Sequence, residues 1–127
     1  MEQRILNFGL SRFPNASESS QSSKVRGEIK EYYAEKPYSD EWYFELADVY
    51  IASKHAWLRF RNPVYRMLAE QIEARSDFPI VYEYIERKME INETREWDGD
   101  QHKYKIIKRI NYKTGKITEE VIDAKKI

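Results

Sequence analysis

The chain contains no cysteine, which excludes disulfides and thiolate metal sites. It has only two histidines, His55 and His102, and this argues against a histidine-rich zinc site. Any metal would then be held by oxygen ligands, the donor set that suits Mg²⁺, Mn²⁺ or Ca²⁺. An excess of charge of either sign is also missing: 22 Lys and Arg stand against 22 Asp and Glu, a net charge of zero. Such a balance removes the general electrostatic attraction to nucleic acid or to anionic membranes, while leaving room for a local basic site. No apolar run is long enough to span a bilayer, and the N-terminus lacks a signal-peptide core, so a cytoplasmic location without membrane contact is expected. No internal repeat is visible.

What is present is a 127-residue chain, the size of one domain, whose hydrophobic fraction of 41% suffices for a core. Its charged fraction of 35% and mean hydropathy of −0.84 give it a very polar surface for its size. The run from Asp40 to Ala52 stands out against that surface. Placed on a helix, it is apolar around most of its circumference, through Trp42, Phe44, Leu46, Val49, Tyr50 and Ile51. Glu41, Glu45 and Asp48 share one narrow stripe on it. A helix apolar on nearly all sides is normally buried, and buried carboxylates are costly unless something neutralises them. That stripe therefore either faces solvent or holds cations.

Taken in order, residues 1–15 read as a short irregular or single-turn segment that packs through Phe8 and Phe13. The serine-rich stretch 16–23 reads as a linker or a helix start, and the helix start is favoured because a periodic segment follows at once. A first helix then runs from Ser17 or Ser20 to Glu35, with Val25, Ile29, Tyr32 and Tyr33 on its apolar face and Glu28, Glu31 and Glu35 along one side. Pro37 ends it. A second helix, capped by Ser39 or Asp40, runs to about Phe60. Asn62-Pro63 opens a third over roughly 63–75, with Val64, Met67, Leu68 and Ile72 inward. After a turn at 76–79, a fourth helix spans about 80–96. Beyond Asp98-Gly99-Asp100 the period changes, and 103–111 with 117–122 read as a β-hairpin turning at Lys113-Thr114-Gly115-Lys116.

Three features carry chemistry. Glu28 and Glu31 on the first of these helices, and Glu45 and Asp48 on the second, are each spaced i, i+3, so each pair lies on one helix face. The short connection between the two helices favours antiparallel packing. Two such pairs face to face would enclose four carboxylates, an arrangement that makes sense mainly with divalent cations between them. The alternative is a set of ordinary solvated acidic faces. The third feature is Lys88, Asn92 and Arg95, which sit among Val81, Tyr84, Ile85 and Ile91 on the apolar side of the last helix. Cations on a buried face need an anionic partner, either the acidic stripes themselves or phosphate oxygens.

The pattern Gln21-x-x-Lys24-x-x-Gly27-Glu28-x-x-Glu31, then Glu45-x-x-Asp48, then Lys88-Met89-x-Ile91-Asn92-x-x-Arg95 resembles the MazG-like, all-α nucleoside triphosphate pyrophosphohydrolase superfamily, over about residues 17–97 apart from 62–79. Gly27 stands where that family's Glu-Glu-x-x-Glu pattern has its first Glu, although the dCTP pyrophosphatase branch also shows Gly-Glu-x-x-Glu. The resemblance implies an all-α helical bundle completed by oligomerisation as a homodimer or homotetramer. It implies a helical domain over 1–100 and leaves 101–127 as a β-hairpin extension and tail. It implies cleavage of a (d)NTP between the α- and β-phosphates, with Mg²⁺ as cofactor and Mn²⁺ as a possible substitute. Glu28, Glu31, Glu45 and Asp48 would be the catalytic metal ligands, and Lys88, Asn92, Arg95 and Lys24 would bind the substrate phosphates. Two other readings stay open. One is a non-catalytic nucleotide-binding or protein-interaction module on the same fold, motivated by Gly27. The other is a structural helical adaptor with solvated acidic stripes. His55 reads as structural rather than as a ligand, and Trp42 and Trp57 as core or interface.

Overall fold

The computed structural model describes residues 1–94 throughout and, beyond them, the backbone of 96–97, 104–105, 108–110 and 117–119. Five helices follow in order: α1 (Glu2–Arg12), α2 (Glu18–Ala34), α3 (Asp40–Phe60), α4 (Pro63–Glu73) and α5 (Phe78–Thr94). This body is all-α, and α3 is its axis, packed against each of the other four helices. Among the described residues, no helix is long and apolar enough to cross a membrane.

The helix boundaries follow local chemistry. Ser17 caps α2 in a reciprocal box, its hydroxyl accepting from the Ser20 amide at 3.0 Å while the Ser20 hydroxyl accepts from the Ser17 amide at 3.0 Å. The Ser39 hydroxyl accepts from the Trp42 amide at the start of α3. Arg61, in the left-handed conformation at φ 59°, ends that helix, and Asn62 caps α4 with Pro63 in its first turn. α5 begins at Phe78, two residues earlier than its periodicity suggests, because Pro79 is compatible with a first helical turn.

Two expectations are corrected. The first residues are not irregular: α1 is an eleven-residue helix. Its buried positions are Ile5 and Gly9, with buried Phe13 directly after it, a spacing of four that keeps them on one face. Gly9 interrupts the apolar stripe in sequence, but it is there for close packing. A Cβ at that position would lie 2.2 Å from Nε2 of His55 on α3, inside contact distance. On α4, Val64 and Met67 point outward, each 58% exposed, and the buried residues are Tyr65, Ala69 and Ile72.

The core has one apolar body around α3, with Ile5, Leu46, Val81, Ile85 and Met89 among its members, and a smaller cluster of Val25, Ala52, Ala56 and Tyr65. A chain of ring contacts links Tyr32, Trp42, Tyr43 and Tyr84. Trp42 is thus a core residue, and Arg75 lies over its face. Buried Lys54 on α3 joins Glu2 of α1 at 2.7 Å and Glu73 of α4 at 3.4 Å, and Glu73 also accepts from the Tyr50 hydroxyl. Beyond the helices, β1 (Glu96–Trp97) pairs with β2 (Tyr104–Lys105), and β3 (Lys108–Ile110) pairs antiparallel with β4 (Ile117–Glu119), Ile110 opposite Ile117. The second pair falls within the expected hairpin; its turn at 113–116 lies outside the described residues.

Candidate functional site

Glu28 and Glu31 stand one turn apart on α2, and Glu45 faces them from α3. One carboxylate oxygen from each of the three lies within 4.8 Å of the others. Glu28 and Glu45 are half-buried while Glu31 is exposed, so the cluster opens to solvent on the Glu31 side. Oε2 of Glu28 and Oε2 of Glu45 are both buried without a hydrogen-bond partner among the described residues. Buried acceptors in that condition are rare and costly.

The electrostatics carry the same strain. Burial, followed by the charges of Asp48 and Glu31, pushes the Glu28 carboxyl up to about 8. Burial and Asp48 likewise push Glu45 up to about 7, with Lys88 pulling the other way. Groups so placed either bind protons or bind a cation. Hard carboxylate oxygens from two rigid helices are a fitting donor set for a divalent ion such as Mg²⁺ or Mn²⁺. The two partnerless buried oxygens are acceptors that such an ion would satisfy.

Asp48, the fourth expected carboxylate, stands outside the three-oxygen group. Its Oδ2 lies 3.2 Å from Nζ of Lys88, and both side chains are largely buried between α3 and α5. Asn92, one turn after Lys88, is buried on the same side of α5. Lys24 stands one turn before Glu28, close enough for its charge to act on that carboxyl, with its ammonium 4.4 Å from the centre of the Phe13 ring. Lys24 and Lys88 thus both bring positive charge to the carboxylates. Arg95 lies outside the described residues. His55 is buried against Gly9, in a packing position.

Two features add detail to the expectations from sequence. Phe13 is fully buried under Lys24, so α1 supports the site although it brings no carboxylate to it. The signal available was the four-residue spacing of Ile5, Gly9 and Phe13. The second is the space at Gly27, an exposed position of α2 beside Glu28, where a Cβ would meet nothing within 4 Å. That glycine has no packing reason in the described structure. Comparison with protein-family models, with curated proteins and with solved structures finds no match.

Proposed function

We propose that this chain is a Mg²⁺-dependent nucleoside triphosphate pyrophosphohydrolase of the MazG-like kind, cleaving a (d)NTP between its α- and β-phosphates to a nucleoside monophosphate and pyrophosphate. The observation that carries the metal half of this reading is the convergence of Glu28, Glu31 and Glu45 from two helices, with two buried oxygens lacking partners among the described residues. The order and spacing of the motif residues carry the substrate half.

Glu28, Glu31 and Glu45 would hold the cation, with Asp48 beside them. Mg²⁺, when bound, would neutralise charge on the phosphate oxygens and acidify water. On the motif resemblance, Lys88, Asn92, Arg95 and Lys24 would hold the phosphate chain. One carboxylate of the group, or one adjacent to it, orients the attacking water and takes its proton. The water oxygen forms a bond to the α-phosphorus as the bridging α–β oxygen leaves with pyrophosphate. Since phosphoanhydride hydrolysis is mostly positioning and charge neutralisation, rigid helices are a suitable scaffold for it.

Self-association into a homodimer or homotetramer belongs to the same reading. It is supported by Val64 and Met67, apolar and exposed on α4, and by Tyr33, 78% exposed on α2. The test of the activity is incubation with each (d)NTP and Mg²⁺, scoring pyrophosphate. Glu45→Gln should lower turnover by about 10²-fold or more, the scale on which positioned acid–base groups act, without unfolding the chain. Folded wild-type protein that releases no pyrophosphate from any nucleotide would end the enzyme reading. Nucleotide binding without release would leave the non-catalytic module.

A further inference from the structure

Asp48 has two claimants. It projects from the same helix as Glu45, one turn on, and its charge acts on both Glu28 and Glu45, so it lies within electrostatic reach of any cation held there. Yet its carboxylate is engaged by the Lys88 ammonium at 3.2 Å, and the pair is shielded, with the two side chains only 10% and 14% exposed. An ion pair so shielded from water is screened little by salt, and neither partner leaves unless another charge replaces it. A divalent cation is one replacement for Lys88. A phosphate anion is one replacement for Asp48.

Charge balance sharpens the point. Among the described residues, four carboxylates, Glu28, Glu31, Glu45 and Asp48, stand against two ammonium groups, Lys24 and Lys88. When all are ionised, the deficit equals the charge of one divalent ion. Drawing Lys88 onto an anion removes one positive charge from the carboxylates and deepens their demand for the metal.

We infer that Lys88 is an internal competitor of the divalent cation for Asp48, so that a polyphosphate which draws Lys88 away releases Asp48 to the metal and the two ligands bind cooperatively. The inference rests on the metal-site reading above and assigns Lys88 a positioning role beyond phosphate contact. By linkage, whatever the polyphosphate adds to metal affinity, the metal adds to polyphosphate affinity. Metal alone would bind to three carboxylates; metal with polyphosphate would bind to four.

The experiment is calorimetric titration of the full chain with Mg²⁺, alone and with inorganic pyrophosphate, each corrected for free metal. Lys88→Met should tighten Mg²⁺ binding in the absence of pyrophosphate by about tenfold, because one unit of opposing charge is removed at close range. Asp48→Asn, which keeps a hydrogen-bond acceptor for Lys88 and serves if Lys88→Met fails to fold, should lose most of the gain in Mg²⁺ affinity that pyrophosphate gives the wild type. If Lys88→Met leaves the affinity for Mg²⁺ alone unchanged, Lys88 does not compete with the metal and the inference is refuted. If pyrophosphate raises Mg²⁺ affinity equally in wild type and Asp48→Asn, it merely chelates the metal, and the coupling through Lys88 is refuted. If neither wild type nor any variant takes up Mg²⁺ at millimolar concentration, the metal-site reading itself falls and takes the inference with it.

Discussion

Replacing Glu28 with Gln should stabilise the metal-free protein in alkaline solution, an unusual outcome for a change at a half-buried polar residue. The Glu28 carboxyl is raised from 4.5 to about 8. A folded-state pKa above the unfolded one means that the folded chain binds the proton more tightly. Stability is then highest in acid and falls as pH climbs between 4.5 and about 8. At about 1.4 kcal/mol per pH unit, the whole shift corresponds to roughly 5 kcal/mol; because Glu28 keeps some contact with solvent, about half of that is a sounder expectation. Wild-type protein in EDTA should therefore lose about 2–3 kcal/mol from this residue between pH 5 and pH 9. Glu28→Gln has no proton to lose there, and its amide can donate to Glu31 or Glu45. Urea unfolding across that range should show a flatter pH profile for the variant and a higher unfolding free energy at pH 9. In thermal melts the difference would be about 8–12 °C for a domain of this size. Millimolar Mg²⁺ should stabilise the wild type at pH 8 and the variant much less, since ligand binding to the native state adds to stability. Parallel pH profiles for the two proteins would show that the carboxylates are not held against one another and would remove the physical basis for a cation there.

Gly27→Ala should raise unfolding free energy by about 0.5–1 kcal/mol, because the added methyl meets open space and alanine is the better helix former; a drop in thermal midpoint would contradict the free volume at that position. Gly9→Ala should do the reverse, costing about 1–3 kcal/mol in the same assay despite its better helix propensity, because the methyl collides with the His55 ring. Met67→Lys should lower the apparent mass in sedimentation if the exposed face of α4 joins copies of the chain, and unchanged sedimentation would place any interface elsewhere.

Local rules went far with the helices. Ser17, Ser39 and the Asn62-Pro63 pair are capping residues whose chemistry acts within one turn, and α2, α3 and α4 start directly after them. α1 was not legible, because Gly9 looks like an interruption until His55, forty-six positions later, is brought against it. On α4, Ile72 is inward as expected, while Val64 and Met67 are not, for a related reason. Val64 and Met67 are apolar at helical spacing, but the buried face runs through Tyr65, Ala69 and Ile72, and only packing decides how far round the helix the inward stripe lies. At the site, spacing alone places Glu28 with Glu31 and Glu45 with Asp48. It cannot say that Glu45 turns toward α2 while Asp48 pairs with Lys88 on α5, since that division depends on how three helices meet around α3.

The fit of Gly9 under His55 has a consequence that reaches well past α1. Phe13 follows that helix directly, the Lys24 ammonium rests on the Phe13 ring, and the charge of Lys24 in turn steadies the Glu28 carboxyl. A substitution at residue 9 that lifted α1 from α3 would shift this ring and loosen the lysine's seat. On the proposed metal-site reading, metal affinity would then respond to a methyl group on a helix that supplies no ligand. On that reading, screens for variants with lost metal affinity should return residues of the first thirteen alongside the acidic ones, and thermal stability would separate the two groups: Gly9→Ala loses it, whereas Glu28→Gln gains it at high pH.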